Sequence, residues 1–111
     1  ELYKGKYICY SLGNFSFAGN AKPEDMDTYI FQQRFRVYPD GTVENADMRI
    51  IPCSISSQEN ANDFKPTPKD ADGAAALLAR LDKLNAQFEK AFAKTGVTAV
   101  SPYPTAWIYA Y

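Results

Sequence analysis

One short stretch, Tyr38-Pro39-Asp40-Gly41-Thr42, limits what this chain can fold into more than any other part of the sequence. Proline fixes its own φ and glycine readily takes a positive φ, so the stretch is typical of a short hairpin loop. The segment before it alternates between apolar and polar residues from Thr28 to Val37, which predicts a strand with one wet face. We therefore predict an antiparallel hairpin over Thr28–Ile51 that turns at residues 39–41.

The two sides of the predicted first strand differ in polarity. Its apolar side is formed by Tyr29, Phe31, Phe35 and Val37, and its polar side by Thr28, Gln32, Arg34 and Arg36. The returning strand begins at Val43 and is expected to end near Ile51. Proline has no N–H to donate, so Pro52 should interrupt the ladder before residues 53–55.

A helix is predicted near Ala71–Thr95. Asp70, together with Asp72, is suited to cap its N-terminus, and Gly96 stands where a C-terminal cap belongs. Its apolar stripe is Leu77, Leu81, Leu84, Phe88 and Phe92, and the residues largely outside the stripe are Arg80, Lys83, Gln87, Lys90 and Lys94. Because amphipathic helices usually face their own core, we expect the stripe to pack on the sheet. The predicted fold class is α+β, a small antiparallel or mixed sheet with one long C-terminal helix.

Two segments outside these elements allow alternatives. Residues 56–68 are polar and irregular, and a loop of this length is either functional or a solvated connector. The tail, residues 97–111, combines Pro102 and Pro104 with the aromatic residues Tyr103, Trp107, Tyr109 and Tyr111. It fits either an edge strand or a proline-stiffened segment whose rings cover apolar surface.

The stretch from Tyr7 to Phe17 opens with four consecutive apolar or aromatic residues. Such a run predicts a strand over Tyr7–Leu12 that is covered on both faces. Ser11, Gly13 and Asn14 then interrupt it with small polar groups. Gly13-Asn14 fits a two-residue hairpin turn, and the same groups fit the end of a central strand that faces a site.

Length and charge limit the classes of protein to which the chain can belong. Its 111 residues allow a single domain or fragment over 1–111, and the start at Glu1 without a methionine suggests a piece of something longer. A hydrophobic fraction of 46% excludes disorder. The net charge of −1 gives no electrostatic footprint for nucleic acid. The sequence contains no apolar run of membrane-spanning length and no targeting signal.

The chain contains no histidine, which removes the commonest metal ligand and general base. Neither a His-based triad nor a His-rich zinc site can be built from it alone. We expect no metal ligand, no cofactor and no catalytic residue in this chain by itself, and no phosphoester hydrolysis. Cys9 and Cys53 both fall in predicted strands, where buried free thiols are the default and a disulfide between neighbouring strands is the alternative.

The segment Ile8-Cys9-Tyr10-Ser11-Leu12-Gly13-Asn14-Phe15-Ser16-Phe17 resembles the I-x-Y-S-L-G-N-F-x-F signature of bacterial capsule-synthesis proteins of the CapA type, which are associated with poly-γ-glutamate biosynthesis. The order of elements downstream is also similar: a hairpin, a strand ending in Ile50-Ile51-Pro52, the step Pro66-Thr67-Pro68 and a helix rich in Ala and Leu. The resemblance covers Tyr3 to about Phe92 and leaves the tail from Val97 unmatched.

The resemblance implies the C-terminal part of a calcineurin-like metallophosphoesterase fold, a four-layer α/β sandwich. The family's ligand motifs lie upstream of this segment, so a divalent metal would belong to the full-length parent. For this chain the resemblance implies a supporting role in which Ser11, Asn14, Asn62, Asp63 and Lys65 line the pocket. It also implies the bacterial cell envelope or extracellular side as the location.

We expect the partner of such a fragment to be the missing N-terminal part of the protein or a second copy, the latter also by strand exchange. One helix with one apolar stripe covers only one face of a small sheet, so aromatic surface would remain exposed. A second hypothesis makes the chain a non-catalytic binding module. In it, Tyr103, Trp107, Tyr109 and Tyr111 offer a stacking surface to a saccharide or polymer.

Overall fold

The computed structural model describes residues 2–4 and 6–93, which form two antiparallel sheets and one helix. The elements are β1 (Leu2–Tyr3), β2 (Lys6–Tyr7), β3 (Asp27–Val37), β4 (Val43–Ser54), β5 (Thr67–Pro68) and α1 (Ala71–Ala93). Strands β1 and β2 pair with each other, and the larger sheet has the order β3-β4-β5. The predicted α+β class is confirmed for the described part of the chain.

The predicted hairpin is confirmed, and its turn lies at residues 39–41. The Gly41 amide donates to the Tyr38 carbonyl at 3.0 Å, and the Tyr38 amide donates to the Thr42 carbonyl at 2.9 Å. Asp40 accepts a hydrogen bond from the Thr42 amide at 2.9 Å. Gly41 has φ +85°, the left-handed conformation that the sequence predicts for this position.

The sheet continues past the residue at which the sequence predicted β4 to end. Pro52 lies opposite Tyr29 in the ladder, and its carbonyl accepts a hydrogen bond from the Lys69 amide at 3.0 Å. Strand β5 then pairs with the last two residues of β4. Both the predicted interruption at Pro52 and the predicted loop at residues 67–68 are therefore wrong. The chain runs back along β4 just before α1, so Thr67–Pro68 pair with β4 as a short edge strand.

The alternation along β3 gives one polar side, as predicted. Arg34 pairs with Asp47 and Arg36 pairs with Glu44, each at 3.3 Å. Farther along the same side, Arg49 donates a hydrogen bond to Gln32.

The burial of side chains differs more between the base and the tip of the hairpin than between its two faces. Thr28, predicted on the wet side, is 2% exposed, whereas Val37 on the predicted apolar side is 69% exposed. The loops and α1 cover the base of the hairpin, so both of its sides are buried there, and the tip extends beyond that cover. The prediction of one wet face is therefore wrong at both ends of β3.

The predicted strand over Tyr7–Leu12 is wrong. Strand β2 ends at Tyr7, and residues 8–14 belong to no strand. Tyr10 is 57% exposed and Leu12 is 48% exposed, so the segment is not covered on both faces. Gly13 has φ +71°, which turns the chain away from the extended conformation. In the described part of the chain, no strand lies beside this segment to supply ladder hydrogen bonds.

The two cysteines are free thiols, and they differ in environment. Cys53 is buried in β4, as the sequence predicts. Cys9 lies outside the strands and is exposed, so its placement in a strand was wrong.

Helix α1 is confirmed with the predicted N-terminus. Asp70 accepts a hydrogen bond from the Gly73 amide at 2.9 Å, the geometry of an N-cap, and Asp72 lies in the first turn. The buried apolar residues are Met48, Ile50, Cys53, Ile55, Ala74 and Leu77, which places the core between α1 and β4. Gly96, the tail 97–111 and the side chains of Phe88 and Phe92 lie outside the described part of the chain. Over the described ranges, no helix is both long and apolar enough to cross a bilayer.

The substitution Gly41→Ala is expected to lower the free energy of unfolding by about 1 kcal/mol, because an L side chain is strained at positive φ. Space is not the cause, since a Cβ at Gly41 would meet no atom within 4 Å. Gly41→Asn should lose less, because asparagine tolerates the left-handed region. Urea denaturation measures both changes, and an unaltered midpoint for Gly41→Ala would contradict the turn geometry.

Candidate functional site

Residues 8–17, which carry the family-like signature, form a loop that we call the motif loop. Side chains from other parts of the chain hold this loop against the rest of the fold. The Tyr29 hydroxyl donates to the Ser11 carbonyl at 2.8 Å, at the start of β3. The buried Asn62 amide donates to the Phe17 carbonyl at 2.7 Å, from the loop after β4. The motif loop is therefore positioned at Ser11 and at Phe17 by side-chain hydrogen bonds.

The middle of the motif loop is a bend around Gly13. The Gly13 amide donates to the Ser11 hydroxyl at 3.2 Å, and the Thr28 hydroxyl donates to the Leu12 carbonyl at 3.4 Å. The positive φ of Gly13 agrees with the turn alternative, although no paired strands flank it. Ser11 and Asn14 are both exposed on this bend.

Asn62 joins two loops. Besides Phe17, its side-chain amide donates to the Asn20 carbonyl at 3.2 Å, and its backbone amide donates to the Ala21 carbonyl at 2.8 Å. Its side-chain oxygen accepts a hydrogen bond from the Phe64 amide at 3.0 Å. The polar atoms of Asn62 are thus used inside the protein, where they hold residues 17–21 against the loop after β4.

Asp63 organises its own loop. One carboxylate oxygen accepts from the Ser56 hydroxyl at 2.8 Å and from the Ser57 and Lys65 amides at 3.0 and 3.1 Å. The other accepts from the Ser57 hydroxyl at 2.5 Å. The Ser57 hydroxyl, followed by the other donors, holds the pKa of the Asp63 carboxyl well below its usual range. Residues 56–65 are therefore structured by internal hydrogen bonds rather than being a freely solvated connector.

Beside the motif loop lies an ionic cluster. Arg80 contacts Asp25 at 2.5 Å and Asp27 at 3.0 Å, and Lys69 contacts Asp27 at 2.8 Å. Hydrogen bonding from Arg80 lowers the pKa of Asp25, and the two carboxylates raise the pKa of Arg80. Arg80 belongs to α1, and its two carboxylate partners lie just before and at the start of β3. The cluster therefore joins α1 to the beginning of β3.

Two depressions flank Ser11. The arginine pocket, with a volume of about 210 Å³, has a polar side formed by Asp25, Asp27 and Arg80, with the bend at residues 11–13 and leucines of α1 also in its lining. The apolar groove, with a volume of about 280 Å³, lies between the start of the motif loop, the hairpin and α1. Its principal walls are Tyr10, Tyr29, Phe31, Met48, Leu81 and Leu84, with Cys9, Ser11 and Asn85 also at its surface.

Of the predicted pocket-lining residues, the structure places Ser11 alone at these two depressions; Asn14, Asn62, Asp63 and Lys65 line neither. The predicted aromatic surface of Tyr103, Trp107, Tyr109 and Tyr111 lies outside the described residues.

The titratable side chains around the motif loop are paired or protonated. The neighbouring carboxylates of Asp25 and Asp27 are held in ion pairs with Arg80. Partial desolvation raises the pKa of the Cys9 thiol, which is otherwise exposed, and keeps it in the weakly nucleophilic protonated form. Over residues 2–4 and 6–93, no group of three or more His, Cys, Asp or Glu side chains is arranged to hold a metal ion.

The sequence does not predict the ionic cluster. Arg80 falls largely outside the predicted apolar stripe of the helix, and residues 18–25 have small, polar and proline content that is typical of a loop. Two acidic residues spaced two apart at the start of a strand, Asp25 and Asp27, are a signal that a cation should lie nearby. The identity of that cation depends on how α1 packs, which the local sequence does not contain.

No protein-family model, curated protein or solved structure matches this chain.

Replacing Arg80 with methionine is expected to lower the free energy of unfolding by about 1 kcal/mol, because a networked ion pair is lost while the aliphatic stem is kept. Arg34→Met breaks the isolated pair with Asp47 and should cost clearly less. The Arg80→Met effect should shrink in 1 M NaCl, where screening weakens the wild-type cluster. Urea denaturation at low and high salt measures it, and equal costs for both variants would contradict a special role for Arg80.

Asp63→Asn is expected to flatten the acid side of the stability curve. The pKa of Asp63 is lower in the folded state than in the unfolded chain, so its contribution is complete above the unfolded pKa of about 4 and is lost as pH falls below it. Thermal melts between about pH 6 and 2 measure the slope. The exposed helix residue Asp82 supplies the control Asp82→Asn, and identical slopes for the two variants would refute the role given to Asp63.

Proposed function

We propose that this chain is the C-terminal portion of a capsule or poly-γ-glutamate biosynthesis protein with a metallophosphoesterase-like fold. It supplies sheet, helix and pocket-lining residues, and the metal ligands come from the N-terminal part of the same protein. The location that goes with this function is the bacterial cell envelope or its extracellular side.

The observation that carries the proposal is the state of the motif loop. Its residues have the composition of a buried strand, yet Tyr10, Leu12, Phe15 and Phe17 are all exposed large apolar side chains. Clustered apolar side chains on a surface mark a contact site for another protein part. The loop is nevertheless held in place by Tyr29 and Asn62, so its exposure is not a consequence of missing attachments.

The same arrangement supports an interface with the N-terminal part of the protein. A strand from that part would pack beside the motif loop, whose residues 8–14 belong to no strand of the described chain. A second copy that contributes the same element by strand exchange is the other form of this interface.

Within this proposal, Ser11 and Asn14 are the residues that reach the shared site. Both are exposed on the bend around Gly13, at the surface where the N-terminal part would pack. Their role is to position a ligand or a metal-binding side chain by hydrogen bonding. Asn62 and Asp63 support that surface from behind, through the contacts that hold the motif loop and the loop after β4.

The first experiment extends the coding sequence upstream of Glu1. The proposal expects Asp-, Asn- and His-rich ligand motifs there, the last of them a His-Pro-His type step shortly before Glu1. An upstream sequence without such motifs would refute the proposal and leave the non-catalytic binding module as the better hypothesis.

The second experiment measures metal-dependent phosphoester hydrolysis and polymer production by the extended protein. Ser11→Ala and Asn14→Ala are each expected to reduce activity by about tenfold or more, the range typical of residues that orient a metal site. Ser16→Ala and Asn60→Ala are matched controls, since both residues are exposed and lie away from the two depressions. Equal activity in all four variants would contradict the roles of Ser11 and Asn14.

A further inference from the structure

The two depressions beside the motif loop adjoin each other and differ in polarity. Four residues line both of them: Ser11, Tyr29, Leu81 and Leu84. The lining of the apolar groove contains no Asp, Glu, Lys or Arg, whereas the arginine pocket has three charged side chains. With volumes of about 210 and 280 Å³, each alone is smaller than the roughly 300 Å³ at which pockets for drug-sized ligands begin. Together they fit one ligand that carries a small polar group next to an apolar group.

The Arg80 guanidinium presents a pair of unused donors. Its Nη1 donates to Asp25 and to Asp27, and its Nη2 donates to Asp25. A guanidinium has five N–H donors in a planar fork, so these three bonds leave the Nε–H and the second Nη2–H. Neither of these two makes a hydrogen bond with a described residue. They lie side by side on one edge of the guanidinium plane, and the two carboxylates fix the orientation of that edge.

The charges of the ionic cluster cancel, which favours a neutral ligand. Asp25 and Asp27 carry two negative charges. Arg80 and Lys69 carry two positive charges. A phosphate or carboxylate on the unused edge of Arg80 would place further negative charge near two carboxylates. An ionised carboxyl has about four acceptor sites, and Asp27 uses two of its own, so the pocket offers acceptors as well as donors.

Neighbouring hydroxyl groups match this combination. Each hydroxyl both donates and accepts, so a vicinal pair can accept from Arg80 and donate to Asp27 from the same side. A trans peptide unit points its N–H and its C=O in opposite directions and cannot do both at one edge. Three residues of α1 give the pocket an apolar wall for the C–H face of a ring: Leu77, Leu81 and Leu84. Rings with adjacent hydroxyls and a C–H face are saccharides.

We propose that the arginine pocket binds the ring of a neutral saccharide, and that the apolar groove takes an apolar aglycone attached to that ring. Ser11 lies where the two depressions meet. Its hydroxyl accepts from the Gly13 amide, and its own hydrogen makes no bond with a described residue, so it can donate to the glycosidic oxygen. This inference goes beyond the proposed function and depends only on residues of this chain. The upstream sequence tests the one and ligand binding tests the other, so they can fail separately.

Titration of the full chain with glycosides, followed by NMR, gives the direct test. The probes are the phenyl and methyl β-glycosides of glucose, galactose and N-acetylglucosamine at millimolar concentrations. The proposal expects saturable shifts of the Leu12 and Gly13 amide signals and of the Arg80 Nε–H signal with at least one phenyl glycoside. Its affinity should exceed that of the matching methyl glycoside by about threefold or more, because the phenyl group buries apolar surface in the groove.

The other outcomes of this titration would overturn the proposal. No saturable shift with any of the six glycosides would refute it outright. Equal affinities of phenyl and methyl glycosides would refute the role of the groove. Phenol that binds as tightly as the phenyl glycosides would refute the role of the saccharide ring. Saturable shifts with inorganic phosphate and with no glycoside would assign the pocket to an anion instead.

The variant Arg80→Lys tests the donor pair. Lysine keeps the positive charge but lacks the planar fork, so the affinity for the phenyl glycoside should fall about tenfold. Arg34→Lys is the matched control, because Arg34 is also paired with an aspartate but lies outside both depressions. Equal affinities of the two variants would contradict the proposal. Far-UV circular dichroism shows whether Arg80→Lys is folded, and if it is not, the titration of the unmodified chain decides the question.

Discussion

The register of the β3–β4 hairpin is the constraint on which the rest of the described structure depends. A shift of one residue would move every side chain of a strand to the opposite face. The turn at Gly41 sets this register, and one bulge between Arg34 and Phe35 changes it near the tip. With the register as it is, Phe31 faces the apolar groove, where its ring meets Tyr7 edge-on with centroids 6.1 Å apart. The arginines lie on the other side, opposite their acidic partners.

Polar side chains fix the positions of the segments that lie outside the helix and the strands. The core contains few large apolar residues, and the segments between β2 and β3 and between β4 and β5 contain no helix or strand. Thr28, Ser56 and Asn62 are buried in this part of the protein, and each donates a side-chain hydrogen bond. Satisfied buried polar groups specify one arrangement, because any other would leave a donor or acceptor unpaired. The positions of the loops therefore depend on individual hydrogen bonds more than on packed area.

The parts of the fold that the sequence predicted correctly are those whose causes are local. The turn needs Gly41, and the helix start needs Asp70, both within a few residues of the structure that they determine. The Tyr7–Leu12 strand failed for the opposite reason, because a strand requires a neighbour that its own sequence does not provide. Arg80 and Asp25 are likewise far apart in the chain, so their contact depends on how α1 packs. The exposure of Val37 depends on how far along the hairpin the loops and α1 extend.

The shortness of β5 limits how the sheet can grow. One of its two residues is Pro68, so β5 itself offers at most one amide hydrogen to any further strand. Such an edge is a poor template for the edge-to-edge addition that starts aggregation, and natural sheets use the same device for protection. Strand β3 borders the sheet on the opposite side over eleven residues. The two edges of this small sheet are therefore not equivalent: β3 forms one edge along its whole length, whereas the opposite edge is β4 up to Pro52 and β5 beyond it.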